Sequence, residues 1–181
     1  MNICVFCGSS IGNNLIYEEA AQELGRLMAE SSHSLVYGGG NVGLMGAIAD
    51  SVLKHNGKVI GVIPDFLLRL EVGHRGITEL EVVSSMHERK KRMADLSNAF
   101  IAMPGGWGTL DELAEILTWK QLGLVTQPIG LLNTLNFFDP LLDQMRLMVS
   151  AGFLRQENLD FLKVEDTAPK LLAALSAEAL F

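Results

Sequence analysis

Long apolar runs are missing from this 181-residue sequence, although 49% of its residues are hydrophobic. No segment approaches the roughly 20 apolar residues that a membrane-spanning helix needs. The opening stretch, MNICVFCGSS, also lacks the positively charged start and long apolar core of a secretory signal. We therefore expect a cytoplasmic protein without a membrane partner. The length suits one domain over residues 1–181.

Positive charge is scarce as well. The chain has 14 Lys and Arg residues against 21 Asp and Glu residues, which gives a net charge of -7 at neutral pH. A general nucleic-acid-binding protein neutralises phosphates with a basic surface. We therefore expect no nucleic-acid partner.

Cysteine is limited to Cys4 and Cys7, in the spacing C-x-x-C. Both lie in an apolar run that predicts a strand, and three residues apart on a strand they point to opposite faces. That arrangement is poor disulfide geometry, so a redox pair is disfavoured. Two thiols cannot close a zinc site, and the four histidines show no ligand spacing, so no metal site is indicated.

The sequence does contain a regular alternation of short apolar runs and amphipathic segments. Four amphipathic segments predict helices, and Gly57 is the predicted C-cap of the second. Seven apolar runs predict strands: Ile3–Cys7, Ser34–Tyr37, Lys58–Ile63, Leu80–Val83, Ala99–Met103, Pro128–Leu132 and Phe161–Val164. Strands that alternate with helices indicate βαβ units. The predicted fold class is α/β, a doubly wound and mostly parallel sheet with helices on both faces.

Four polar or glycine-rich stretches follow predicted strands, where doubly wound proteins bind their ligands. They are CGSS (7–10), YGGGNVGLMG (37–46), MHERKK (86–91) and PGGWGT (104–109). The first offers the hydroxyl groups of Ser9 and Ser10. The last offers the backbone N–H groups of Gly105, Gly106 and Gly108 at a helix start, which favours an anion. Together the stretches predict a mononucleotide held at several points.

The segment Gly38–Gly43 also fits the G-x-G-x-x-G pattern of dinucleotide sites. However, it follows the second predicted strand rather than the first. Asp65 lies at a suitable distance for a ribose contact, yet it follows a proline instead of ending a clean strand. A tight turn with close helix–sheet packing explains the glycines as well. A nicotinamide or flavin enzyme stays an alternative, and Gly39 and Gly40 are candidate binding residues in either case.

The MHERKK stretch and the arginine after it hold four of the fourteen basic residues side by side. A solvated helix face explains Lys91 and Arg92, since Asp95 lies three or four residues further on. Arg89 and Lys90 come directly after a predicted strand and fit one small anion. Arginine can bind a phosphate or carboxylate with two donors.

Thr109 and Glu112 have the T-x-x-E spacing of a capping box. In that interpretation Thr109 is the N-cap, and Glu112 returns a hydrogen bond to it. In the other interpretation Glu112 is a carboxylate with a chemical role beside an anion site. The spacing alone does not decide between them.

Taken together, these stretches resemble the cytokinin-activating phosphoribohydrolase family called Lonely Guy, whose members are often mislabelled as lysine decarboxylases. The resemblance covers roughly residues 4–133. P-G-G-x-G-T-x-x-E is present as Pro104–Glu112, and M-H-x-R-K as Met86–Lys90. G-G-G-x-x-G-L-M-G is present as Gly38–Gly46, and C-G-S-S as Cys7–Ser10.

The resemblance implies hydrolysis of the N-glycosidic bond of N6-substituted adenosine 5'-monophosphates or AMP, which releases the free base and ribose 5-phosphate. It implies a Rossmann-like fold, a homodimer with the site near the subunit interface, and no metal or organic cofactor. Arg89 and Glu112 would be the catalytic pair, and the loop Gly105–Thr109 would hold the 5'-phosphate. The other residues predicted to contact the nucleotide are Ser9, Ser10, Gly39, Gly40, Glu71, Met86, Lys90 and Thr118.

Two further alternatives follow from the same residues. A non-catalytic nucleotide sensor would keep the glycine loops but would not need Arg89 and Glu112 together. A decarboxylase would need a cofactor such as pyridoxal phosphate on a lysine Schiff base, and no lysine here lies in a suitable position. Whether the natural base is a cytokinin or adenine stays open.

Overall fold

A computed structural model describes residues 1–70 and 73–178 of the chain. The strands are β1 (Asn2–Phe6), β2 (Ser34–Tyr37), β3 (Val59–Pro64), β4 (Glu79–Val83), β5 (Ala99–Ala102), β6 (Ile129–Leu132) and β7 (Leu162–Glu165). The helices are α1 (Leu15–Glu30), α2 (Gly43–Lys54), α3 (Asp65–Leu70), α4 (Met86–Asp95), α5 (Trp107–Gln121), α6 (Asp139–Ser150), α7 (Gln156–Asp160) and α8 (Ala168–Glu178). Within those residues, no helix combines the length and apolar character needed to cross a membrane.

All seven strands belong to one parallel sheet, in the order β4-β3-β2-β1-β5-β6-β7. Each strand begins and ends within one residue of its predicted run. After β4 the chain returns to the centre of the sheet, where β5 pairs with β1 from Ile3 opposite Ala99 to Phe6 opposite Ala102. This reversal of strand order is the topological switch point, where ligands of doubly wound sheets bind.

Alternate side chains of the strands enter two separate cores. In β1, Ile3 and Val5 pack in the core shared with α1, α2 and α8, whereas Cys4 and Phe6 pack in the core shared with α4, α5 and α6. The helices thus cover both faces, and the predicted fold class is confirmed. Cys4 and Cys7 lie in opposite cores as free thiols, and burial raises the pKa of each. The structure therefore gives no support to a redox pair.

The end of α2 differs from the prediction by one position. The residue in the left-handed region is Asn56, with φ of 60°, and His55 is the C-cap. The N–H group of Gly57 donates to the carbonyl of Val52 at 2.9 Å, which completes a Schellman motif. Gly57 as the C-capping residue is therefore wrong, because asparagine tolerates the left-handed backbone that the motif needs.

Candidate active site

The start of α5 is an open helix end at the switch point. The PGGWGT stretch leaves β5 and enters the helix at Trp107, with Gly106 as N-cap and, among the described residues, no side-chain cap. The first helical hydrogen bond runs from the N–H group of Leu110 to the carbonyl of Gly106, at 3.1 Å. The amides of residues 107–109 are therefore free of intrahelical partners. Together with the helix dipole they favour an anion.

The helix start shows that the capping-box interpretation is wrong. Because the glycine turn lets the helix begin at Trp107, Thr109 is already inside its first turn and Glu112 lies one turn further on. Thr109 is buried with its hydroxyl group against Gly105, which leaves no space for a side chain on that glycine. Glu112 therefore has no capping role, and its side chain lines a cavity of about 170 Å³.

Arg89 is anchored to strand β3 and to the residue that follows β2. Its side chain is buried in α4, where Nε donates to the carbonyl of Val62 at 3.2 Å and Nη2 to the carbonyl of Gly38 at 3.1 Å. The remaining nitrogen, Nη1, lies 3.9 Å from Oε1 of Glu112 and 3.8 Å from Sδ of Met86. The guanidinium group is thus held in one orientation, with one nitrogen directed towards Glu112.

Glu112 is a buried carboxyl group with an altered affinity for protons. Burial raises its pKa to about 7, while the positive charge of Arg89 opposes this change. Asp111 and Glu115 raise the pKa further, and Lys90 lowers it. Glu112 is therefore present in both protonation states near neutral pH, as groups that transfer protons often are.

Lys90 forms an ion cluster beside Glu112. Its Nζ lies 3.0 Å from Oδ2 of Asp111 and 3.2 Å from Oε2 of Glu115, which joins α4 to α5. Burial lowers the pKa of Lys90, but its hydrogen bonds to these two carboxylates raise it, and the net change is an increase. The prediction that Lys90 lines the nucleotide site is not supported, since its ammonium group faces these acids rather than the 170 Å³ cavity.

The CGSS loop closes the second glycine-rich helix start. The N–H group of Leu44, at the start of α2, donates to the carbonyl of Gly8 at 3.0 Å. Gly43 packs so closely on the backbone of Ser9 and Ser10 that a side chain there would overlap it. The start of α2 is thus engaged by protein, unlike the start of α5. Ser9 still lines the Glu112 cavity, whereas Ser10 lines an adjoining apolar cavity of about 300 Å³.

Gly39 and Gly40 make protein contacts instead of lining these cavities. The carbonyl of Gly39 accepts the N–H group of His74 at 3.0 Å, and Gly40 pairs with Gly73. A dinucleotide would need the helix start after this loop for its pyrophosphate, and the carbonyl of Gly8 already engages that start. The structure therefore disfavours the nicotinamide or flavin alternative.

One predicted residue, Thr118, lies away from the cavity. Thr118 is about 9 Å beyond Glu112 along α5, at the rise of a regular helix. Its hydroxyl group donates to the carbonyl of Ala114, and it lines a different, apolar cavity of about 390 Å³ between α5, α6 and α7. Glu71 lies outside the described residues.

The structure brings most of the predicted residues to one place. Those that line the two adjoining cavities are Ser9, Ser10, Arg89, Gly105, Gly106, Gly108, Thr109 and Glu112. Met86 contacts Arg89, which lines one of them. Cys7 and Met45 line the Glu112 cavity and were not predicted. The sequence signal that could have identified them is their position within the CGSS and GLMG stretches.

Comparison with known proteins identifies the family. The family model described as "Possible lysine decarboxylase" matches residues 45–175. A probable cytokinin riboside 5'-monophosphate phosphoribohydrolase of Oryza sativa subsp. japonica is 46% identical over 170 residues, which are 94% of this chain and 76% of the relative. A cytokinin riboside 5'-monophosphate phosphoribohydrolase of Arabidopsis thaliana is 45% identical over 173 residues, 96% of this chain and 81% of the relative. The chain belongs to the cytokinin riboside 5'-monophosphate phosphoribohydrolase family. The resemblance seen in the sequence is thus confirmed.

Solved structures extend this family's fold to more distant proteins. The molybdenum cofactor binding protein of the phototrophic bacterium Rippkaea orientalis aligns with a TM-score of 0.73 at 23% identity, covering 97% of this chain and 95% of that one. The molybdenum cofactor carrier protein of Chlamydomonas reinhardtii aligns with a TM-score of 0.73 at 22% identity, covering 99% and 98%. At such identity the likeness concerns the fold alone, which is Rossmann-like.

Burial of Glu112 is expected to make this family member less stable as the pH rises from about 4.5 to about 7. In that window the unfolded chain has released the carboxyl proton while the folded chain still holds it, so the folded state is progressively disfavoured. The contribution is about 3 kcal/mol. Urea unfolding of wild type and Glu112→Gln at several pH values isolates it. A difference between the two proteins that does not change with pH would contradict the raised pKa.

Proposed function

We propose that this chain hydrolyses the N-glycosidic bond of adenosine 5'-monophosphate or its N6-substituted derivatives, releasing the free base and ribose 5-phosphate. The observation that carries the proposal is a single cavity that contains both the Arg89–Glu112 pair and the open start of α5. The curated relatives at about 46% identity have names that state this activity.

The chemistry explains why an acid and an anion site lie together. As the glycosidic bond breaks, positive charge develops on the ribose and negative charge on the departing base. Water adds to C1', the bonding electrons leave with the base, and the proton that the water gives up replaces the sugar on a nitrogen of the base. The carboxylate form of Glu112 stabilises the cationic sugar and accepts or orients that proton. The amides of residues 107–109 bind the 5'-phosphate at the other end of the sugar.

Repulsion between these acids and a phosphate is limited by the ion cluster. Asp111 and Glu115 are both paired with Lys90, so one of their two negative charges is balanced within the protein. The negative charge of Glu112 is offset by the positive charge of Arg89, and the carboxyl group is partly protonated near neutral pH. Phosphate binding remote from the broken bond then helps to position the sugar for reaction.

Incubation of the protein with AMP and with isopentenyladenosine monophosphate tests the proposal. Chromatography is expected to show the free base and ribose 5-phosphate in equal amounts, and the ratio of the two rates reports whether adenine or a cytokinin is preferred. Nucleotide binding without release of base would instead support the sensor alternative and would remove the proposed activity.

We also propose that the chain is a homodimer through the surface formed by α5, α6 and α7. This surface contains the 390 Å³ apolar cavity lined by Leu117, Met145 and Met148, and Phe153 beside it is 88% exposed. Thr118 lines the same cavity, so its predicted contact with the nucleotide depends on this dimer.

Met148→Glu is expected to convert the dimer into a monomer, because it places like charges in an apolar interface. Light scattering after size-exclusion chromatography measures the mass. Ile16→Glu is the matched control, since Ile16 is 42% exposed on α1 at the other face of the sheet. A monomeric wild type, or a Met148→Glu protein that stays dimeric, argues against this interface.

The remaining assignments are proposals from composition. A single domain over residues 1–181, a cytoplasmic location and the absence of nucleic-acid and membrane partners follow from the length, the hydropathy pattern and the net charge of -7. Cell fractionation and a DNA-binding assay at low salt test the last three.

A further inference from the structure

His74 makes a set of contacts that the proposed reaction does not use. It is 8% exposed, and its Nδ1 accepts the N–H group of Gly76 at 3.3 Å. The proton is therefore on Nε2, which donates to Oδ1 of Asp50 on α2 at 2.9 Å. Its backbone N–H group donates to the carbonyl of Gly39 at 3.0 Å. His74 thus ties its own segment both to α2 and to the glycine loop after β2.

The glycine loop, residues 38–40, needs a contact from outside because glycine does not restrict its own backbone conformation. Gly39 has φ of 76°, in the region that favours glycine, and glycine restricts the backbone less than any other residue. The loop is also packed tightly, since a Cβ on Gly61 of β3 would lie 2.9 Å from Cα of Gly39. Gly40 adds a backbone pairing with Gly73, the residue before His74. The orientation of the loop carbonyls therefore depends on its neighbours.

One of these carbonyls orients Arg89. The carbonyl of Gly38 accepts Nη2 of Arg89 at 3.1 Å, and the guanidinium group fills the space that a side chain at position 38 would need. His74 holds the adjacent peptide through Gly39. The contacts thus run without interruption from Asp50 through His74 and the loop to the guanidinium group.

We propose that His74 is a positioning residue that fixes Arg89 through the Gly38–Gly39 backbone. This inference rests on the proposed function for its kinetic effect, but not for its structural one. Asp50 is largely exposed, so its pair with His74 contributes little to global stability. The Asp50–His74 contact therefore acts mainly on the orientation of Arg89. A displacement of about 1 Å in a catalytic group can lower the rate about 10²-fold.

His74→Ala is expected to lower kcat about 10–100-fold with KM changed less than about threefold, because ground-state binding is retained while Arg89 is misplaced. His74→Gln places a donor near the position of Nε2 and is expected to recover kcat to within about threefold of wild type. Asp50→Ala keeps the imidazole of His74 but removes the carboxylate that accepts its hydrogen bond. This exposed substitution is expected to lower kcat by about 3–10-fold. His55→Ala is the control, because the imidazole of His55 bonds to the carbonyl of Ser51 within the end of its own helix, α2.

Nitrogen-15 NMR of the Arg89 Nε–H group gives a readout that does not depend on activity. This group donates to Val62 in wild type, and Arg89→Lys identifies its signal by removing it. His74→Ala is expected to shift the signal and to speed its exchange with water at least about tenfold, while His74→Gln and His55→Ala leave it in place.

The outcomes separate the two proposals. Full kcat in His74→Ala and Asp50→Ala, or reduced kcat with an unchanged Arg89 signal, overturns the positioning role. If wild type releases no base while the Arg89 signal still responds to His74→Ala, the proposed function fails and the positioning role stands. Should His74→Ala not fold, Asp50→Ala and His74→Gln give the same comparison.

Discussion

Glu112→Gln is expected to lower turnover by about 10²–10⁴-fold, the usual contribution of one acid–base group. The substitution keeps the size of the side chain and removes only its ability to carry charge and to exchange a proton. Binding of AMP is expected to persist, because the amides at the start of α5 are unchanged. Initial rates of base release and calorimetric titration with AMP measure the two effects separately.

The same carboxyl group determines the pH dependence of the rate. Because burial raises the pKa of Glu112 to about 7, wild-type kcat/KM is expected to rise with pH through this value as the carboxylate form appears. The residual rate of Glu112→Gln should lack that inflection. Glu19→Gln, an exposed change on α1, is the control. Normal turnover in a folded Glu112→Gln protein would remove the catalytic assignment.

Arg89→Lys is expected to reduce turnover by about 10²–10³-fold, as the loss of one preorganised donor does elsewhere. Lysine keeps the positive charge but cannot bind the carbonyls of Val62 and Gly38 together and also direct a third nitrogen towards Glu112. Arg89→Ala is expected to abolish turnover. Arg89→Ala also leaves the two buried carbonyls and the Glu112 carboxyl group without their partner. This costs about 3–5 kcal/mol of folding free energy, so we expect a lower melting temperature.

The kinetic parameters of Arg89→Lys distinguish two roles for this residue. A rise in KM at constant kcat indicates that Arg89 binds the phosphate, whereas a fall in kcat at constant KM indicates that it assists the departing base. Lys91→Arg, on the exposed face of α4, is the control, because among the described residues Lys91 pairs with Asp95 on its own helix. Retention of both parameters in Arg89→Lys would show that neither role depends on the guanidinium group.

Local patterns were reliable where the physical cause is local. The strands were predicted within one residue, since a parallel sheet covered on both faces requires short, continuous apolar runs. The pairing of Lys91 with Asp95 is confirmed for the same kind of reason, because residues four apart are neighbours on a helix. Arg92 is exposed on this helix, as expected, but its ion pair is with Glu81 on β4 rather than with Asp95.

A residue spacing gave the wrong interpretation where two different local structures have the same spacing. T-x-x-E fits a capping box, yet the helix begins at Trp107, and no local rule fixes which glycine of PGGWG ends the turn. Lys90 looked like a ligand for an anion, but α5 presents Asp111 and Glu115 to it once the helices pack. The surroundings of Lys90 thus depend on partners that lie far away in sequence.

By itself the sequence determined the fold class, the family and the stretches that meet at the site, because periodicity and motif residues are properties of short segments. Only the tertiary structure decided which glycine-rich helix start is open, which charges are paired and why Glu112 has a raised pKa. Those properties arise from burial and from the approach of β1, β2, β3 and β5 at one edge of the sheet. Contacts between distant segments set them, and no single segment encodes such contacts.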